Sequence, residues 1–354
     1  MNDDLDLLAE HGGWPGLLTE LLEGRDLTAE QARLAMATIL AGRATAAQLI
    51  GFVVALRAKG ETADELSGLL DAVLGAAELV DLGDLRDRAV DVVGTGGDRS
   101  HSINVSTMAA IVVAGAGVPV CKHGARGASS KAGTADVLEA LGVAIELSPA
   151  GVRRCVEQAG IGFCFAPRFH PAFRFAAPAR REIGIPTVFN LLGPMANPGR
   201  VRRQLIGVAD ARFADRMLAS LRAHGSTVAW VVHGGGLDEL TTTGASTVLA
   251  LEHDGGARSF TVDPVDLGLA PATREQLVGG DPEHNADVVR RVVGGERGAH
   301  RDIVVLNAAA ALVVVGACPT LLDGVGTAEE VIDDGRASTT LDRFISCSQA
   351  AANA

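Results

Sequence analysis

Gly94-Thr95-Gly96-Gly97-Asp98 follows the apolar run Ala89 to Val93 and precedes a helix expected to begin near Asn104. A glycine-rich turn between strand and helix lets backbone N–H groups approach an anion closely, and the helix N-terminus adds partial positive charge. The turn is not the dinucleotide fingerprint, because its third glycine would fall at Arg99. Nor is it a nucleotide P-loop, since no Gly-Lys-Ser/Thr follows. Taken alone, the pattern leaves an anion site and a plain tight turn both open.

A second cluster, Lys122-His123-Gly124-Ala125-Arg126 followed by Ser129-Ser130-Lys131, lies between an expected strand at 118–121 and a helix from 135. Three cations and two hydroxyls on one loop at a strand's C-terminal end suit a polyphosphate, and a solvated charged loop is the alternative. A third cluster, Leu237-Asp238-Glu239, comes after the apolar run Val228 to Val232 and three glycines. Adjacent carboxylates behind such a strand suit a hard cation already carrying phosphate oxygens. Both are expected to line a solvent-accessible cleft. His233 stays unassigned, being as good a structural residue as a ligand.

The elements that must position these residues fall into two parts. Residues 1–80 read as helical, with capping boxes at Thr28/Gln31, Thr45/Gln48 and Thr62/Glu65 and apolar faces that must pack on each other or on a partner subunit. From about 85 to 350, short apolar runs alternate with helical stretches: Ala89–Val93, Val105–Ala114, Val118–Cys121, Ala135–Leu141, Ile161–Phe165, Gln204–Val208, Ala214–Leu221 and Val228–Val232. That alternation predicts an α/β domain with a mostly parallel central sheet, which makes the first two loops neighbours. Residues 171–185 are expected to form one more helix, stopping at Gly184 and joining the helical part.

Composition narrows the function. Hydrophobic residues are 47% and charged residues 21% of 354, as in a packed globular protein. A net charge of −12 argues against nucleic acid as a partner, so an anionic ligand must be met by local cations or a metal. Two of the three lysines, Lys122 and Lys131, share the second loop. Five cysteines with no CxxC pair argue against a disulfide framework or zinc site. No signal peptide is visible, and the run Ile303 to Cys318, broken by Asn307, reads as a buried helix rather than a membrane span; a cytoplasmic location is expected.

GTGGD at 94–98, NVST at 104–107, KHG-x-R at 122–126, Phe165 to Pro171, Arg180-Arg181-Glu182, Phe189 to Pro194 and Leu237 to Glu239 occur in one order, and the set resembles the anthranilate phosphoribosyltransferases over roughly residues 20–345. The resemblance implies a class III phosphoribosyltransferase-like fold, a small N-terminal helical domain (1–80) plus a larger α/β domain (85–350), dimerising through the helices. It implies transfer of phosphoribose from phosphoribosyl pyrophosphate (PRPP) to the amine of anthranilate in tryptophan biosynthesis. Gly94, Thr95, Gly96, Gly97, Asp98, Asn104, Ser106, Thr107 and Lys122 would hold PRPP. Ser102, Val105, Gly124, Ala125, Ser130 and Phe173 complete the expected substrate-binding set. Ser106 with Glu239 and Asp238 with Glu239 would hold two Mg2+ ions. Arg180 would pair with the acceptor carboxylate and His123 would line the acceptor side, leaving Lys122 and Arg180 as the expected catalytic pair.

Four positions depart from the family pattern: Arg99 for glycine, Ser102 for threonine, Ala125 for asparagine, and Phe173 where tyrosine is frequent. Ala125 bears on the acceptor, since only a backbone-carbonyl contact would survive loss of the amide side chain. A different aminobenzoate acceptor, a non-catalytic phosphoribosyl-ligand binder and a pyrimidine nucleoside phosphorylase are the alternative readings.

Overall fold

The computed structural model describes residues 3–127 and 131–353. Five helices come first: α1 (Asp3–Glu10), α2 (Gly13–Leu22), α3 (Ala29–Leu40), α4 (Ala46–Lys59) and α5 (Ala63–Gly75). The capping boxes form as read: Thr28, Thr45 and Thr62 accept from the N–H groups of Gln31, Gln48 and Glu65, whose side chains reach back to the threonine N–H. Each satisfies two donors that a helix start otherwise leaves open. Trp14 and Phe52 meet edge to face, 5.9 Å between centroids, joining α2 to α4.

The remainder alternates as expected: β1 (Val90–Gly94), α6 (Val105–Gly115), β2 (Val120–Gly124), α7 (Thr134–Leu141), α8 (Pro149–Ala159), β3 (Ile161–Phe165), α9 (Ala166–Phe169), α10 (Ala177–Ile183), α11 (Val188–Met195), β4 (Arg203–Gly207), α12 (Ala214–Ala223) and β5 (Val228–His233). Two strands follow, β6 (Ser246–Leu251) and β7 (Ala257–Val262), then α13 (Pro282–Val293), α14 (Ala299–Val314), α15 (Leu321–Asp333) and α16 (Arg336–Ala352). The sheet order is β3-β2-β1-β4-β5-β6-β7. Its first five strands are parallel, and β6 and β7 add antiparallel to one edge. The chain winds outward from β1 to β3 and returns beside β1 as β4. That reversal opens a crevice at the C-terminal ends of β1 and β4, where ligands of open α/β sheets bind.

Side-chain alternation divides the sheet between two cores. Val90, Val92, Leu205, Trp230 and Val232 point to the face covered by α6, α8 and α13–α16. Val93, Ile206, Ala229 and Val231 point to the other, where they share a core with α2–α5, α11 and α12. The N-terminal helices pack on each other and on α10, α11 and α12, and α12 in turn lies against β5 and β6. The run Ile303 to Cys318 is largely α14, with Ile303 to Leu312 buried throughout. No helix among the described residues is long and apolar enough to cross a membrane.

The expected single helix over 171–185 is not found. Pro171–Phe175 is a 3-10 turn and α10 starts separately at Ala177, ending at Gly184 in the left-handed conformation (φ 62°). The break has a cause in Pro178, which lacks an N–H to bond the Arg174 carbonyl and whose ring crowds it. Ala176 and Ala179 pack into the core that the N-terminal helices share.

Candidate active site

Gly94 and Gly207 are register partners at the ends of β1 and β4. The loop after β5 lies directly over them: a Cβ on Gly207 would fall 1.5 Å from the Asp238 carbonyl oxygen, and one on Gly94 would fall 2.2 Å from Asp238 Oδ2. This close approach lets Asp238 Oδ2 accept the Gly96 N–H at 2.7 Å and Glu239 Oε1 accept the Ser106 N–H at 3.1 Å, near the start of α6. The glycine-rich turn and the acidic pair thus form one unit. Gly96 and Gly97 have φ of 65° and 80°, which side-chain-bearing residues seldom adopt. Arg99 and His101 share that region at 58° and 54°, so a family glycine at 99 has a conformational rationale that the arginine here strains. His233 resolves as structural. Its Nε2 accepts the Gly236 N–H, so Nδ1 carries the hydrogen donated to Val208 O at 2.9 Å.

Lys122 stands at the floor of the cleft, 2% exposed. Its Nζ donates to Val92 O and, at 3.2 Å, to Ser106 Oγ. Burial lowers its proton affinity, and Asp91, Glu239 and Asp238 oppose that by attraction. Asp91, fully buried on β1, accepts from the His123 N–H at 3.1 Å and from Asn197 Nδ2 at 2.7 Å. Burial raises the Asp91 pKa to about 6 despite these partners. Burial and the neighbouring Asp98 charge raise Asp238 to about 7; burial and Asp238 raise Glu239 to about 8. Asp98 Oδ2 is buried without a hydrogen-bond partner. Crowding raises the proton affinity of these acids, and a bound cation would favour their ionised forms instead.

Among the described residues, no three histidine, cysteine or acidic side chains form a closed metal cage. Hard oxygen donors in an open cluster fit Mg2+, which takes one or two carboxylates and completes its shell with water and phosphate. The donor set therefore suits the ion expected from the sequence, with Asp238, Glu239 and Ser106 as the residues able to hold it. Glu239 differs from expectation in one respect. It is only 9% exposed and braces the start of α6, so it is a packed structural group as well as a cleft residue.

The opposite wall is aromatic. His123 and His170 lie 5.1 Å apart, His170 stacks on Phe173 at 5.3 Å, and Phe173 meets Phe189 edge to face at 5.6 Å. Arg180 closes the row, its Cζ 4.8 Å from the Phe189 centroid. Burial lowers the Arg180 pKa, and among the described residues no acid pairs with it. His123 Nδ1 lies 3.0 Å from Gly193 O, which only accepts, so Nδ1 carries the hydrogen and Nε2 is a bare acceptor, buried and unpartnered. Burial, with His170 alongside, holds His123 well below the usual imidazole range, so it is neutral at pH 7.

One cleft of about 340 Å³ brings together Gly94 to Asp98, Ser102, Asn104, Val105, Ser106, Lys122 to Ala125, Phe173, Arg180, Asp238 and Glu239. Thr107 is not on its wall: it is buried one residue behind, its Oγ1 on Thr134 Oγ1 at 3.3 Å. Ser130 lies outside the described residues. Ala125 is exposed, and its carbonyl accepts the Ala135 N–H at the start of α7, which leaves the oxygen a second lone pair for a ligand. Asp91, His170 and Asn307 were not read from sequence as site residues. Asn307 brackets Leu240, accepting its N–H at 3.0 Å and donating to its O at 2.8 Å, and so fixes the chain just after Glu239. Two carried a signal, a charge inside the strand Val90–Val93 and an amide inside the apolar run of α14.

The matches to known proteins agree with this geometry. Residues 86–338 match the model of the glycosyl transferase family α/β domain, and residues 15–77 that of its helical bundle domain. An anthranilate phosphoribosyltransferase of Saccharopolyspora erythraea is 53% identical over 338 residues, 94% of this chain and 95% of its own. The chain belongs to the anthranilate phosphoribosyltransferase family. The crystal structure of the family's Thermus thermophilus member superposes with a TM-score of 0.88 at 40% identity, covering 94% of this chain and 99% of that one. The Saccharomyces cerevisiae enzyme, in complex with PRPP and Mg, superposes at 0.87 with 28% identity, covering 95% and 98%.

Proposed function

We propose that this chain transfers the 5-phosphoribosyl group of PRPP to the amine of anthranilate, releasing pyrophosphate, as an enzyme of tryptophan biosynthesis. The observation that carries the reading is the two-sided cleft: a glycine turn, a buried lysine and an acidic cluster on one wall, and an unpaired arginine on an aromatic row on the other.

The backbone N–H groups of the glycine turn and the start of α6 suit the anionic donor. Lys122 Nζ, held by Val92 O and Ser106 Oγ, offers a charge where negative charge grows on the leaving pyrophosphate. Asp238, Glu239 and Ser106 would hold two Mg2+ ions, which when bound neutralise pyrophosphate oxygens. Arg180 offers a planar fork to a carboxylate, and the Phe189 face beneath it limits how that fork turns. Phe173 and Phe189 provide flat apolar surface for the ring. His123 Nε2 offers an acceptor to an amine hydrogen, orienting the nitrogen lone pair toward C1. The N–C1 bond forms as the C1–O bond to pyrophosphate breaks, the surplus amine proton passes to the released pyrophosphate or solvent, and no enzyme nucleophile is needed.

The reading also makes the protein cytoplasmic and dimeric through its N-terminal helices, on which Leu22 is 79% exposed and Val54 38%. It takes residues 1–80, with the stretch 171–185, as one unit and 85–350 as the other. Calorimetry with PRPP and Mg2+, followed by a pyrophosphate-release assay with anthranilate and a panel of aminobenzoates, tests it. Binding and release with anthranilate are expected, and Asp238→Asn with Glu239→Gln should abolish release. A phosphorylase would ignore PRPP, a binder would fail the second step, and a different true acceptor would outperform anthranilate in the panel.

A further inference from the structure

Asn285, on α13, is 2% exposed and 181 residues from Asn104 along the chain. Its Oδ1 accepts the Gly280 N–H at 2.7 Å. A backbone N–H only donates, so this bond settles which end of the Asn285 amide is oxygen and turns its NH2 toward Asn104. There Nδ2 donates to Asn104 Oδ1 at 2.9 Å, and Asn104 Nδ2 reaches Ala132 O at 3.4 Å. A carbonyl only accepts, so both ends of the relay demand the same direction.

Asn104 stands at the N-cap position of α6 on the cleft wall, its side chain making no bond to the helix start. With its oxygen taken by Asn285, its NH2 group has a second hydrogen for a ligand. A free asparagine could turn either end to the cleft, and the oxygen end would repel an anion. The relay removes that choice. Its surroundings are built around it: a Cβ on Gly279 would lie 2.7 Å from Asn285 Oδ1. The segment before α13 is also bonded to the donor-side loop, Ile103 N–H to Leu277 O at 3.0 Å and Gly279 N–H to His101 O at 2.8 Å.

We infer that Asn285 is a positioning residue for the donor site, holding the Asn104 amide so that its NH2 group, not its oxygen, meets the phosphoribosyl donor. The inference rests on reading the cleft as a PRPP site. It is tested by a double-mutant cycle of Asn285→Ser and Asn104→Ala, read as kcat/KM for PRPP, which stays measurable when binding is weak, with KM for anthranilate alongside. Asn285→Ser should lower kcat/KM for PRPP by about fivefold or more, leave KM for anthranilate within about twofold, and have no further effect once Asn104 is alanine. Asn285→Asp, isosteric and able to keep the Gly280 bond, serves if the serine variant does not fold; its carboxylate would reverse the Asn104 amide and should weaken PRPP at least as much. Undiminished loss in the Asn104→Ala background, equal changes for both substrates, or wild-type kinetics in the single variant would overturn the inference. Failure of the unmodified enzyme to use PRPP would overturn the functional reading with it, whereas an additive cycle in an active enzyme defeats this inference alone.

Discussion

Gly207→Ala should disable the enzyme without unfolding it. An added Cβ would sit 1.5 Å from the Asp238 carbonyl oxygen and 2.2 Å from its carbon, both backbone atoms with no rotamer to change. Normal contact requires the 237–239 segment to retreat by roughly 1.5 Å or more, an overpacking of the kind that costs about 1–3 kcal/mol. The retreat would pull Asp238 from the Gly96 N–H and Glu239 from the Ser106 N–H. Both bonds involve a carboxylate, and displacements of that size at a reacting site cost about 100-fold in rate. Steady-state kinetics at saturating Mg2+, with thermal unfolding in parallel, give the readout. The expected result is a loss of kcat/KM of about 100-fold, with a melting temperature lowered by only a few degrees. Gly225→Ala, away from the cleft, is the control: nothing lies within 4 Å of its Cβ, so it meets only the strain of φ 88°, worth about 1–2 kcal/mol. If Gly207→Ala stays within about threefold of wild type, or no worse than Gly225→Ala, the acidic pair is not positioned by that contact.

Arg180→Ala should raise KM for anthranilate about 10- to 100-fold while moving KM for PRPP little, since a charged hydrogen-bonded pair is worth about 1.5–3 kcal/mol; equal increases would remove Arg180 from the acceptor side. His170 is buried with a folded pKa of about 4, below its unfolded value, so its contribution to stability is complete above about pH 6.5 and is lost as pH falls from there toward 4. Between pH 7.5 and 5 this amounts to about 2 kcal/mol, and urea unfolding of His170→Gln should show a pH dependence flatter by that amount; parallel curves would refute it. Asp91, raised to about 6, gains stability in the opposite sense as pH falls, but it cancels in the comparison of the two proteins. Ala125→Asn should change catalytic efficiency with anthranilate by less than about tenfold, because position 125 is exposed; a larger gain would point to another natural acceptor.

What was legible in the sequence is what local chemistry determines. The three threonine caps, the apolar strands of the parallel sheet and the glycine turn each depend on residues within one element or its borders. β6 and β7 were missed for a physical reason: the apolar run of β6 is only four residues long, Val248 to Leu251, and in β7 Ala257 to Thr261 faces largely outward on a sheet edge. The clusters at 94–98, 122–126 and 237–239 were found because each shows its chemistry in adjacent residues. Asn285 shows nothing in its neighbours, since Asn104 lies 181 residues away, and Asn307 stands out only as an amide in an apolar run, its partner Leu240 lying 67 residues away. The same limit applies to Ala125, whose carbonyl partner becomes visible only once α7 is in place.

The division of the sheet into two cores has a consequence for divergence. Phe189, on which Arg180 rests, is anchored in the core shared with the N-terminal helices, as is Ala179 beside that arginine. Ile103, Val105 and Leu237, which seat the glycine turn and the acidic pair, belong to the opposite core. Substitutions that reshape one core thus reach one substrate's wall before the other's. A lineage could drift toward new aromatic amines through its helical half while keeping the same sugar-phosphate chemistry, and directed evolution of acceptor range has its natural target in the residues around Phe189 rather than on the strand ends.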